Sequence, residues 1–189
     1  MASSGSKSVA VTSWNTLKFN WTQVSQSVAN NTTTISWTLQ LVAGSSGRID
    51  SSASKDWSVT VNGTNYSGTN TIGISNGATK TLASGKTTIT HNADGSKTFS
   101  YSFSQEFGIS FSGSSIGTKS GSGTGALNTI PRATTPTLSA SSVNMGSAVT
   151  INTPRASSSF THDLAYAFAG GSYVNIATGV TTSRSWTVP

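Results

Sequence analysis

The chain has 189 residues, no cysteine and a formal charge of +6. That length buries a real core without covalent staples, and the missing cysteines exclude disulfide scaffolds, thiolate metal sites and cysteine nucleophiles together. Ser and Thr make up roughly a third of the residues, far above ordinary usage, while only 8% of residues are charged. The eleven Lys and Arg are scattered singly. A nucleic-acid site needs a clustered basic stripe that displaces counterions, so no nucleic-acid partner is expected. The opening MASSGSKSVA lacks the apolar core of a secretory signal, and no apolar run is long enough to span a bilayer. No membrane partner is expected either.

Along the chain the hydrophobic period is two. Leu17, Phe19 and Trp21 share one face, and Ile35, Trp37, Leu39 and Leu41 share another, with Ser36, Thr38 and Gln40 opposite. Trp57, Val59 and Val61 follow, then the Asn62-Gly63 hairpin signal, whose two-residue loop places Tyr66 opposite Val59. In ITHNADGSKTFSYSFS a three-residue loop, Ala93-Asp94-Gly95, pairs Ile89 with Phe99 and His91 with Lys97. That is a type I turn with a left-handed Gly95 as its bulge. The apolar alternation continues through Tyr101, Phe103, Phe107, Ile109 and Phe111. The tract from Gly113 to Gly125, dominated by Gly and Ser, reads as a flexible loop. Pro131 and Pro136 frame a stiff linker.

Beyond the linker a hairpin with Val149 and Ile151 inward begins a second module. A strand with Phe160, Leu164, Tyr166 and Phe168 on one face follows, then Trp186 and Val188. The fold class is therefore all-β: an antiparallel, jelly-roll-like β-sandwich over 1–127, a Pro-containing linker over 128–136, and a partial immunoglobulin-like module over 137–189. The second module is short for such a sandwich and is expected to be truncated or completed by something else.

The candidate chemistry is sparse. His91, Asn92 and Asp94 form a polar constellation, but each has work in the turn: Asn92 opens it and Asp94 tolerates its geometry. Gly113-Ser114-Ser115-Ile116-Gly117 matches the nucleophile-elbow pattern without the helix that gives the pattern meaning. Gly85-Lys86-Thr87-Thr88 lacks the upstream glycine of a phosphate loop and reads as a strand connection. The five carboxylates are Asp50 in a loop, Asp56 before the Trp57 strand, Asp94, Glu106 and Asp163. His162 and Asp163 point to opposite faces of one strand. No catalytic residue, cofactor-binding residue or metal ligand is expected, and the chain is read as a non-enzyme. Trp14 is the least committed aromatic and the one candidate for stacking on a sugar.

Three long phrases carry a resemblance: FNWTQVSQSVANNTTTISWTLQLVAG, DWSVTVNGTNYSGTNTIGISNGATKTLASGKTTITHNADGSKTFSYSFS and IPRATTPTLSASSVNMGSAVTINTPRASSSFTHDLAYAF. The chain resembles the minor structural proteins of siphophages that infect streptococci and related Gram-positive bacteria. The resemblance implies a virion protein of the tail tip, baseplate or fibre, with no catalytic residues to transfer. It also implies that more of the second module follows SWTVP. The expected location is the virion, and the expected partners are other virion proteins, further copies of the chain and a host cell-wall glycan. Two rival expectations are a capsid decoration or head fibre with a purely structural role, and a glycan-cleaving enzyme working through Asp50 or Asp56.

Overall fold

The computed structural model describes residues 3–189, and among them there are thirteen strands and no helix. The chain divides into two compact units, 1–130 and 131–189. In the first unit, β1 (Ser4–Ala10), β2 (Asn15–Ser27), β3 (Thr32–Ala43) and β6 (Thr79–Thr90) form one antiparallel sheet in the order β1-β2-β3-β6. A second sheet has the order β5-β4-β7-β8, from β4 (Ser54–Val61), β5 (Thr64–Thr71), β7 (Thr98–Phe111) and β8 (Ser114–Ala126). The all-β sandwich is as the alternation requires. Leu17, Phe19, Trp21, Ile35, Trp37, Leu39 and Leu41 from one sheet are buried with Val59, Val61, Phe99, Tyr101, Phe103 and Phe107 from the other. Rings bridge the layers: Phe19 lies 4.7 Å from Tyr101 and 5.6 Å from Phe103, centroid to centroid, and Trp21 meets Phe99 edge-on at 5.0 Å.

The β4–β5 hairpin has the expected register, Val59 opposite Tyr66 and Val61 opposite Thr64. Asn62 and Gly63 both take positive φ, 48° and 83°, as a type I′ turn demands. Asp56 lies inside β4 rather than before it.

Three expectations are corrected. The Gly/Ser tract is not a loop. It is β8, paired with β7 from Thr98 opposite Ala126 to Phe111 opposite Ser114, through a tight turn at Ser112-Gly113. The segment around Gly85 is not a connection but the middle of β6, with Gly85 opposite Trp37. Ile89 does not pair with Phe99, because β6 and β7 belong to different sheets: Ile89 pairs with Thr33 and Phe99 with Gly125.

A single device explains why glycine-rich segments are strands here. Gly5 sits opposite Trp21, Gly68 opposite Trp57, Gly85 opposite Trp37, and Gly121, Gly123 and Gly125 opposite Phe103, Tyr101 and Phe99. Each ring lies over the bare backbone of its partner: a Cβ on Gly85 would stand 2.4 Å from Trp37, and one on Gly125 2.6 Å from both Phe99 and Trp21. Such aromatic cover compensates for the missing glycine side chain. Gln105, fully buried on the same face of β7, is satisfied by a reciprocal amide pair with Asn70 at 3.1 and 3.2 Å.

The first unit closes on residues past β8. Leu127 N–H donates to Lys97 O, Ile130 N–H to Gly95 O, and Gln26 Nε2 to Asn128 O. Asn128 to Ile130, expected in the linker, are thus bonded into the sandwich.

The second unit has two small sheets. β9 (Thr137–Leu138), β10 (Ala148–Asn152) and β13 (Arg184–Thr187) take the order β13-β10-β9, and β11 (His162–Tyr166) pairs with β12 (Val174–Val180). Val149 and Ile151 are buried, as the alternation anticipates, together with Leu164. Phe160 precedes β11 and Phe168 is exposed, so only part of the expected apolar face is covered. Tyr166 meets Phe168 edge-on at 5.6 Å and Trp186 at a tilt at 5.1 Å, centroid to centroid.

The glycine–ring pairs make a sign prediction. In an ordinary strand, Gly→Ala stabilises, because glycine loses more backbone freedom on folding. Gly85→Ala and Gly125→Ala are expected instead to destabilise by about 1–3 kcal/mol, the cost of overpacking. Exposed Ser84→Ala should stay within about 0.5 kcal/mol. Denaturant unfolding of the three variants measures this, and stabilisation by either glycine replacement would refute the packing argument.

Candidate functional site

The polar constellation at His91 is structural in detail. Gly95 N–H donates to Asn92 O at 3.0 Å and Asn92 N–H to Ser96 O at 2.9 Å, which is the expected turn, with Gly95 at φ 84°. The turn carries the chain from one sheet to the other instead of closing a hairpin. His91 is 5% exposed, and its Nδ1–H donates to Gly95 O at 2.7 Å. A carbonyl oxygen only accepts, so the proton of the neutral ring is on Nδ1. Nε2 then accepts from the hydroxyl of Thr33 at 2.8 Å. Asp94 Oδ1 accepts from the N–H and the hydroxyl of Ser96. Both imidazole nitrogens are therefore spent on holding β3 to the crossover, and Gly95 O accepts a further bond from Ile130.

The other candidates are dispersed. Ser115 lies on β8 just past a tight turn, with no helix beside it. Asp50 is exposed and forms a two-pronged contact with Arg48 at 2.8 Å, and hydrogen bonding from the guanidinium holds its carboxyl below the usual carboxylate range. Asp163 accepts from Gly179 N–H, and His162 Nε2 contacts Pro154 O. Among the described residues no three His, Cys, Asp or Glu side chains converge to hold a metal ion. Trp14 is 47% exposed in the loop before β2, where its carbonyl accepts from Gly44 N–H at 2.7 Å. It does not line the surface depression described next.

What the topology does assemble is a face. Every second residue of β4, β5, β7 and β8 points out of the sandwich, and these residues are hydroxyl-bearing almost throughout. Ser67, Ser58, Ser104 and Ser120 form one row across the sheet, and Asn65, Thr60, Ser102 and Ser122 the next. Rows repeat at about 6.8 Å along the strands, and neighbours in a row stand about 4.8 Å apart. Ser58 and Ser104 hydroxyls share a hydrogen bond of 2.9 Å. At one end the face sinks into an open depression of about 540 Å³, bordered by Asp56, Thr69, Glu106 and Thr118 together with Ser58, Ser67 and Ser104 of the first row. Glu106 stands 3.9 Å from Lys55, while Asp56 makes no ion pair or hydrogen bond among the described residues.

No single member of this face is chemically distinctive; its signal in the sequence is the serine alternating with the rings of FSYSFS.

The fold defines a two-unit, all-β protein whose first unit is an antiparallel β-sandwich. Residues 14–189 match the model of the family described as "Siphovirus protein of unknown function (DUF859)", and the chain belongs to that family. Membership makes it a siphophage protein and supports a place in the virion. No curated protein and no solved structure matches the chain.

The buried ring of His91 should matter more than an exposed turn histidine would. His91→Ala removes the acceptor of the buried Thr33 hydroxyl, leaving it only the long 3.5 Å bond from Gln26 Nε2, and is expected to cost about 1–3 kcal/mol. Gly95→Val, which forces a β-branched residue to positive φ, should also destabilise. Thermal melts that leave His91→Ala at the wild-type midpoint would show that the ring's two hydrogen bonds contribute nothing.

Proposed function

We propose that this protein is a virion surface component of the tail tip, baseplate or fibre that positions or makes contact with the host cell surface, with wall saccharide as its partner. The hydroxyl-paved face of the β5-β4-β7-β8 sheet carries this reading. A hydroxyl both donates and accepts, as a sugar hydroxyl does, so a regular array of them can match a saccharide without fixed charge. Each such bond contributes only about 0.5–1.5 kcal/mol net. One copy therefore binds weakly, and useful adhesion comes from many copies on one particle. The net charge of +6 adds a favourable long-range term towards an anionic wall.

Two measurements test the reading. Protein multimerised on streptavidin should be retained by purified host wall polysaccharide. Replacing Ser58, Ser104 and Ser120 together by Ala should abolish retention while leaving the unfolding midpoint close to wild type. Failure to bind even when multimerised, or binding indifferent to the triple replacement, would remove the saccharide role. Antibody labelling of intact particles should decorate tails. Labelling of heads would replace the tail placement with a capsid-decoration role.

A further inference from the structure

Where the edges of the two sheets meet, β1 and β8 run side by side, and among the described residues no backbone bond joins them. They come together at two points. At one, Ser3 Oγ donates to Ala126 O at 2.6 Å; at the other, a Cβ on Gly121 would stand 2.8 Å from the Val9 side chain. Between these points lies an open slot of about 350 Å³, a size within the roughly 300–1,000 Å³ of small-molecule sites. Trp21 and Tyr101 line its inner side, and Ser4, Ser6 and Thr124 its walls. Two glycines keep it open. A Cβ on Gly5 would stand 2.7 Å from Trp21 Nε1, and one on Gly125 2.6 Å from the same ring. Gln23 N–H donates to Ser3 O, so Ser3 and Gly5 bond to β2 while Ser4 and Ser6 turn their backbone groups towards the slot.

The two inner rings each bring a polar atom to this slot. Trp21 is 4% exposed and Tyr101 6%, and among the described residues neither the indole N–H nor the phenol hydroxyl has a hydrogen-bond partner. Buried tryptophan and tyrosine ordinarily find one. Trp37 and Tyr66 do so here: Trp37 Nε1–H donates to Thr87 Oγ1 at 3.3 Å, and the Tyr66 hydroxyl to Lys86 O at 3.1 Å. Burial pushes the Tyr101 phenol above its usual value, so it stays a neutral hydroxyl. No residue lining the slot carries a charge. We propose that the slot binds one neutral sugar residue of a saccharide, which accepts from Trp21 N–H and Tyr101 O–H. A sugar hydroxyl also donates, so the same residue serves the backbone carbonyls of the walls. A charged group would leave water for a site with no counter-charge. An inserted peptide strand would have to part β1 from β8, which the Trp21 ring joins through its contacts with Gly5 and Gly125. The slot shares no residue with the row of Ser58, Ser104 and Ser120, so it is a site separate from the outer face.

The 5 tryptophans give separate indole N–H signals in a proton–nitrogen correlation spectrum, and Trp21→Phe identifies the one from Trp21. Titration of the whole chain with glucose, galactose, mannose and N-acetylglucosamine should move the Trp21 signal saturably for at least one sugar and leave that of Trp37 in place. Glucosamine and glucuronate, one cationic and one anionic, should bind less well than the best neutral sugar. Tyr101→Phe keeps the ring and removes the hydroxyl. It should weaken binding roughly two- to tenfold, the worth of one hydrogen bond. Its melting temperature should stay at or above that of wild type, because the lost hydroxyl has no partner in the fold. Replacing Ser58, Ser104 and Ser120 together by Ala should leave the titration unchanged. A Trp21 signal that no neutral sugar moves, or a preference for either charged sugar, would overturn the proposal. So would a Tyr101→Phe variant that melts earlier yet binds as tightly as wild type, or a titration lost with the triple replacement, which would move binding to the outer face.

Discussion

The first unit depends on aromatic rings laid across glycines. A sandwich with few charges and about one third hydroxyl residues has a limited supply of apolar area, and its bulkiest members are rings set among Leu, Ile and Val. Rings that size need room within the narrow space between the sheets. Glycine opposite Trp21, Trp37, Trp57, Phe99, Tyr101 and Phe103 supplies it, since Trp37 occupies the volume that a side chain at Gly85 would take and Phe99 occupies that of Gly125. The pairing also explains the edge strand. β8 has almost no apolar residues of its own, and its inward face is built from Gly121, Gly123 and Gly125 docked under Phe103, Tyr101 and Phe99. Its stability is therefore borrowed from β7.

The same principle separates what could be read in the sequence from what could not. Strands that own their apolar residues, such as the runs through Phe19, Trp37 and Phe103, were legible from period-two alternation alone. The Asn62-Gly63 turn was legible because its chemistry is local. β8 was not, because glycine alternating with serine has no hydrophobic period and resembles a loop in composition. Its strand character exists only in the company of β7, which is a tertiary effect overriding local preference.

The crossover at Asn92–Gly95 shows a different limit. Turn chemistry specified the hydrogen bonds, the left-handed glycine and its position correctly. It could not say whether the strands on either side continue as partners or diverge into separate sheets. That choice belongs to the core, where Ile89 is required beneath the β1-β2-β3-β6 sheet and Phe99 beneath the other. His91 records the outcome: it is buried because the chain leaves one layer there, and its two ring nitrogens bond the Thr33 hydroxyl and the Gly95 carbonyl at the corner.

The hydroxyl face and the glycine underside are two sides of one solution. A strand such as β8 needs small inward residues to admit the rings and outward residues that neither attract nor repel strongly. Serine and threonine meet the second need because their hydroxyls are satisfied equally by water, by a neighbouring strand or by a sugar. Charges placed on that face would specify a single partner. Under the proposed virion role, affinity assembled by repetition requires less of each such surface than affinity built into one pocket.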